Sequence, residues 1–129
     1  AIKAFKKLNL NNIAVLTPYP KDVNLTVYNY LIKNHLTIDS FSSFNLNYDS
    51  EIAQVNQKSL IEGISNINLD KVDGLFVSCT ALKIIDIIDE IEKKFNTTVI
   101  SSNQAIIWDC LKLLDMKVKI SGYGKLFNN

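Results

Sequence analysis

Ile13-Ala14-Val15-Leu16 carries no polar side chain, and Thr17-Pro18-Tyr19-Pro20 ends the run at once. A strand that is apolar on both faces must be covered on both faces. Parallel sheets flanked by helices meet that condition. The two prolines restrict the residues before them and stop the strand. The rest of the chain alternates as such a sheet requires. Asp22 to Asn34 reads as a helix, with Val23, Val27, Tyr30 and Leu31 on one face. Ile38 to Leu46 is a Ser- and Phe-rich second strand. Ser50 to Ile67 reads as one helix, with Ile52, Val55, Leu60, Ile64 and Ile67 turned inward. Asp73-Gly74 leads into a third strand, Leu75 to Ser78. Leu82 to Phe95 is the clearest helix, with Leu82, Ile85, Ile88, Ile91 and Phe95 inward. Asp89 and Lys93, and Glu90 and Lys94, are spaced to pair on its outer face. Thr98 to Ile100 is a fourth strand, and Ser102 or Asn103 can cap a last helix that runs to Leu114.

Four β-α units with short connections define the class as α/β with a parallel sheet. The expectation is a flavodoxin-like three-layer domain on a four-stranded parallel sheet, its first strand inside the sheet. Residues 1–129 form one domain, with no internal repeat and no Gly/Ser linker. The tail from Met116 to Asn129 is open: Gly122-Tyr123-Gly124 is turn chemistry, and a short strand could precede it. Residues 1–9 read as the tail of a helix, with Ile2, Phe5 and Leu8 every third residue. A helix that starts without an N-cap suggests a connection from a preceding segment of a longer protein.

Composition narrows the function classes. Hydrophobic residues are 47% and charged residues 21% of the chain, which excludes a disordered polymer. The net charge of +1 leaves no basic excess for a nucleic-acid backbone. No apolar run reaches the ~18 residues of a membrane span, and the first residues lack the apolar core of a signal peptide. Two cysteines cannot build a disulfide framework or a Cys-rich zinc site, so a cytoplasmic location with reduced thiols is expected. All 14 basic residues are lysine. An anionic substrate would have to be met by Lys, hydroxyls or backbone N–H groups, because no bidentate guanidinium is present.

In open parallel sheets the site lies beyond the carboxyl ends of the strands. Three such ends carry polar chemistry: Thr17-Pro18-Tyr19, Ser78-Cys79-Thr80 and Ser101-Ser102-Asn103. Cys79 is placed between a buried strand and the expected helix start, where first-turn N–H groups would stabilise a thiolate. It reads equally well as a small buried residue. Thr80 and Asn103 could each be plain helix caps or face a substrate. The Tyr19 hydroxyl could pack after the turn or donate to an anion. Cys110 lies in a stripe with Ile106, Ile107 and Leu114, which reads as core, as does Trp108. His35, the single histidine, ends the first full helix at the opposite edge, so a Cys–His dyad is not expected. No glycine-rich phosphate loop follows the first strand, and no His/Asp/Glu set has metal-ligand spacing.

At this point the motifs resemble a known family. Val72-Asp73-Gly74-Leu75-Phe76-Val77-Ser78-Cys79-Thr80-Ala81-Leu82 resembles the cysteine-bearing strand of maleate cis–trans isomerases and arylmalonate decarboxylases, of the aspartate/glutamate racemase superfamily. Val99 to Ala105 followed by Trp108 resembles the next motif of that family. Ile13 to Tyr19 resembles its strand and Thr-Pro-Tyr turn. Gly122-Tyr123-Gly124-Lys125-Leu126 resembles its C-terminal end, with Lys where Arg is usual. The order is the family's, and the likeness covers its second half only.

The resemblance implies a two-half racemase-type fold, with residues 1–9 as the connecting helix and an N-terminal half-domain as missing partner. It implies chemistry on a small dicarboxylate without cofactor or metal. Cys79 would be the catalytic thiol. Thr80 with its N–H, Thr17 and Tyr19 would hold a substrate carboxylate, with Asn103 near the site. A maleate isomerase-like reaction is the first expectation, and an arylmalonate decarboxylase-like or racemase reaction the alternative. The rival from another class is an α/β binding or dimerisation module without catalysis. A homo-oligomer is expected, with no nucleic-acid or membrane partner.

Overall fold

The structure, a computed structural model, describes residues 1–128. Its elements are α1 (Ile2–Lys7), β1 (Asn12–Thr17), α2 (Lys21–Lys33), β2 (Thr37–Ser43), α3 (Asp49–Ile52), α4 (Gln57–Ser65), β3 (Gly74–Val77), α5 (Ile88–Phe95), β4 (Val99–Ser101) and α6 (Ser102–Leu113). Short 3₁₀ segments cover Ile85–Ile87 and Lys125–Asn128. The sheet order is β2-β1-β3-β4, and every pairing is parallel. The flavodoxin-like expectation and the interior position of β1 hold.

The alternation of strand side chains builds two cores. Ala14, Leu16, Leu75, Val77 and Val99 face one layer, with Ile52, Leu60, Ile64, Ile88 and Ile91 from α3, α4 and α5. Ile13, Val15, Phe76 and Ile100 face the other, with Phe5, Leu31, Trp108, Leu126 and Phe127. Each fully buried Leu or Ile contributes roughly 1.5–3 kcal/mol. Phe5 of α1 meets Phe76 edge-on, with ring centroids 5.2 Å apart, so the first helix is part of the domain.

The entry to β3 is pinned twice. The Asp73 carboxylate accepts the N–H groups of Asn11 and Asn12 at 2.9 and 2.8 Å, which holds it below the ordinary carboxylate range. Gly74 runs so close to its neighbours that a Cβ there would lie 2.8 Å from the Thr98 carbonyl oxygen. The sequence therefore needs both residues of the Asp-Gly pair at this point.

Several expectations are corrected. The helix read over Ser50 to Ile67 is two helices, because Asn56 leaves the helical conformation to cap α4, its side chain accepting the Ser59 N–H at 2.9 Å. Leu82 to Phe95 is helical only from Ile85 onward, first as 3₁₀ and then as α5. Leu82 and Ile84 are instead buried from the turn that precedes it. The last helix is capped by Ser101, not Ser102 or Asn103. Ser101 and Gln104 form a capping box, the hydroxyl accepting the Gln104 N–H at 3.1 Å. That box sets the rotation of α6: Ala105 and Trp108 face the core, while Ile106, Ile107, Cys110 and Leu114 face outward. On α2, Leu31 is buried and Val27 packs against the core, but Val23 and Tyr30 are exposed. Asp89 and Lys93 pair at 3.2 Å, whereas Lys94 lies over the Phe95 ring rather than on Glu90.

Among the described residues, the tail holds no strand. It is fastened by side chains. The Gln104 amide donates to the Tyr123 carbonyl at 2.7 Å, Asp89 accepts the Gly124 N–H at 3.0 Å, and Glu92 accepts the N–H groups of Lys125 and Val99. Burial pushes the Glu92 carboxyl up against the pull of those two bonds. Gly124 has φ +86°, and a Cβ there would stand 2.5 Å from Ile88. Gly124→Ala is therefore expected to cost about 2–4 kcal/mol, the sum of backbone strain and overpacking. Urea denaturation of the purified chain checks this, and an unchanged midpoint would refute it.

Candidate active site

Parallel pairing brings the three polar strand ends to one edge of the sheet. Leu16 pairs with Val77 and Val77 with Ser101, so the residues after each share one level. The chain then leaves the sheet in three different ways.

After β1, the turn Thr17-Pro18-Tyr19-Pro20 is locked by a polar network. The Thr17 hydroxyl is fully buried and bonded to Asn24 Oδ1 and Ser43 Oγ, and it accepts the Tyr19 N–H. Asn24 Nδ2 and Ser43 Oγ donate to the Tyr19 carbonyl at 2.8 and 2.5 Å. Thr17 thus holds the turn from below, and Tyr19 projects from it.

After β3, the Ser78 N–H still bonds to the Leu16 carbonyl at 2.9 Å. Cys79 then adopts φ +128°, a conformation that L residues rarely take. Two contacts hold it there. The Cys79 N–H donates to Ser102 Oγ at 3.1 Å, and the Ala81 N–H donates to Cys79 Sγ at 3.4 Å. Asn103 Nδ2 grips the same loop through the Thr80 carbonyl at 3.0 Å. Asn103 is therefore a brace between α6 and the loop after β3. Thr80 is exposed at the rim.

The expectation that Cys79 opens a helix is corrected. Residues 78–84 form a loop, and the first helical turn starts at Ile85. The donor next to the sulfur is the N–H of Ala81 in the loop, supplied by the local reversal rather than by a helix dipole. The sequence could signal this only indirectly, because a positive φ at cysteine has no residue signature of its own.

The Tyr19 phenol reaches across the edge to this loop. It lies beside Cys79 and Ser78, both of which act on its titration. Burial and the Cys79 contact push the phenol up to about 12, from an ordinary value of 10.0. It stays a proton donor throughout the neutral range. Tyr19, Ser78, Cys79, Thr80, Ser102 and Asn103 are thereby gathered in one place. Ser102, Ser78, Asn24 and Ser43 are the members not singled out as functional from the sequence. Ser102 was read as a possible cap of the last helix and Ser78 only as part of a polar strand end.

His35 sits in the exposed turn between α2 and β2, at the amino end of β2, away from the cysteine. Among the described residues, no three His, Cys, Asp or Glu side chains cluster as metal ligands, and no helix is long and apolar enough to cross a membrane. Arginine is absent from the sequence, so no guanidinium serves this edge.

The class is thus a helix-covered parallel α/β domain with a thiol, a phenol and amide donors at its carboxyl edge. Residues 1–127 match the family model for arylmalonate decarboxylase, and the chain belongs to that family. It is 27% identical to arylmalonate decarboxylase from Bordetella bronchiseptica over 130 residues, 98% of this chain and 54% of that enzyme. It is 23% identical to a maleate isomerase from Nocardia farcinica over 126 residues, 97% of this chain and 50% of that enzyme. A solved structure of Nocardia farcinica maleate cis-trans isomerase superposes with a TM-score of 0.95 at 21% identity, covering 98% of this chain and 52% of that one. That structure is a Cys-to-Ser variant with a covalently bound succinylcysteine intermediate. The chain spans about half the length of the curated relatives it matches.

The two cysteines differ in access: Cys79 is buried at the edge loop and Cys110 is exposed on α6. Iodoacetamide should therefore alkylate Cys110 first in the folded 129-residue chain. Cys110→Ala should leave stability within about 0.5 kcal/mol, as for an ordinary surface change. Mass spectrometry of timed digests reads the order, and early labelling of Cys79 would contradict it.

Proposed function

We propose that this chain is the cysteine-bearing half of a cofactor-independent enzyme that isomerises a small dicarboxylate, in the manner of maleate isomerase. The observation that carries the reading is that Tyr19 and Cys79 pack together at the carboxyl edge of the sheet, with the Ala81 N–H on the Cys79 sulfur. In this reading Tyr19 donates to one substrate carboxylate. Thr80 and its N–H, with the loop around them, hold the negative charge that develops as the carbon beside the carboxylate changes hybridisation. Thr17 and Asn103 act one step back, by fixing the turn of Tyr19 and the loop of Thr80.

Cys79 is the proton-transferring group. A nucleophile from the facing half adds to one olefinic carbon, and Cys79 gives its proton to the other. The product is a succinyl thioether when that nucleophile is a thiolate, which matches the species in the Nocardia enzyme. The former double bond is now single and rotates. Cys79 then takes back a proton, the thiolate leaves, and the trans alkene forms. Atoms and electrons balance with no redox partner.

A second reading is favoured by the family match and by the Bordetella relative. There Cys79 protonates the enediolate left by loss of carbon dioxide from an arylmalonate. Both readings use the same thiol and the same donors. The facing half decides between them, and this chain is proposed to need that half, or a partner copy, for a closed site.

The test uses the complete enzyme, with this half joined to its partner half. Cys79→Ala should abolish turnover of maleate and of arylmalonate while the fold is kept. Tyr19→Phe should weaken carboxylate binding by about 1.5–3 kcal/mol, one hydrogen bond to a charged group. Robust turnover by the Cys79→Ala enzyme would refute the assignment. Robust turnover by the 129-residue chain at monomeric concentration would refute the need for a second half.

A further inference from the structure

We infer that Asn24 is a positioning residue for Tyr19: one side-chain amide ties the first turn of α2 to both ends of the Thr17-Pro18-Tyr19 turn and so aims the phenol at Cys79. The inference rests on the reading of Tyr19 as a carboxylate donor, and its geometry can be tested without that reading.

Asn24 stands on α2, whose N-cap is Pro20, and Pro20 has no side-chain capping bond to give. Its side chain is spent on the preceding turn. Oδ1 accepts the hydroxyl of Thr17, and Nδ2 donates to the carbonyl of Tyr19 at 2.8 Å. Thr17 is fully buried at the end of β1. Asn24 therefore transmits the position of the strand to the residue that carries the phenol. Ser43, at the end of β2, closes the ring by donating to the same Tyr19 carbonyl at 2.5 Å and contacting the Thr17 hydroxyl at 3.3 Å.

The two holders are not equivalent. The serine has a single hydroxyl, on an exposed residue at the end of the edge strand. Asn24 offers a fixed acceptor and a fixed donor on one planar group. Tyr19 itself is only half-buried, and its two prolines restrict the turn without fixing which way the ring leaves it.

Asn24→Leu keeps the branched shape at Cγ and removes both bonds. In the 129-residue chain it should erase the nuclear Overhauser contacts between the Tyr19 ring and the Cys79 β-protons. In the complete enzyme it should lower kcat/KM by roughly tenfold, about the worth of one charged-group hydrogen bond. That loss should vanish in a Tyr19→Phe background, because Asn24 acts through the phenol. A merely structural Asn24 would give additive losses. Asn24→Asp is the second variant should the leucine chain fail to fold: it keeps the acceptor for Thr17 and loses the donor to Tyr19. Retention of the Tyr19–Cys79 contacts in these variants, or additivity with Tyr19→Phe, would overturn the inference. An inert Tyr19→Phe with lost contacts in Asn24→Leu would instead overturn the role given to Tyr19 and leave the positioning intact.

Discussion

The pairing of β3 with β1 on one side and β4 on the other is the constraint on which the molecule depends. β3 is four residues long and buried throughout. It reaches its neighbours only because Gly74 permits close approach to Thr98 and because Asp73 ties its start to Asn11 and Asn12. A slip by one residue would turn Leu75 and Val77 to the wrong core. It would also carry Cys79 away from Ser102 and Tyr19. The register that satisfies both cores is the one that sets the thiol at its partners.

The edge loop is held by hydroxyl and amide side chains from α6. Cys79 keeps its left-handed backbone through a bond to Ser102, and the loop behind it is gripped by Asn103. A non-glycine residue in such a conformation costs of order 1–3 kcal/mol. That strain is offset by contacts from α6, an element already anchored by its capping box and by Trp108 in the core. In return, the reversal at Cys79 brings the Ala81 N–H to the sulfur. Donors fixed before substrate arrives need no reorganisation when charge develops.

The sequence revealed the sheet because parallel strands buried on both faces leave apolar runs such as Ile13 to Leu16. It revealed the site edge because three polar strand ends had to converge. What it hid has physical causes. The outward rotation of α6 depends on Gln104 bonding both Ser101 and Tyr123, 19 residues apart in the second case. Periodicity alone grouped Ile106, Ile107, Cys110 and Leu114 as a stripe but could not say which way it faced. The loop after Cys79 looked helical because Leu82, Ile85 and Ile88 keep helical spacing. The break comes from a positive φ at residue 79 and from Asn103 binding the Thr80 carbonyl, neither of which is local in sequence.

The dispersal of the edge residues along the chain has a kinetic consequence. Tyr19, Cys79 and Ser102 belong to three separate segments, and the strand that carries Cys79 pairs with partners about sixty residues before it and two dozen after it. Loops of that size must close before any of these contacts rewards the closure, and parallel pairings of this kind form slowly. A growing chain therefore has no partial cleft to protect its thiol. Until β4 and α6 are made and docked, Cys79 is an ordinary cysteine on a flexible segment, open to stray oxidation. The bonds from Ser102 and Asn103 that hold its loop are complete only once α6 has docked.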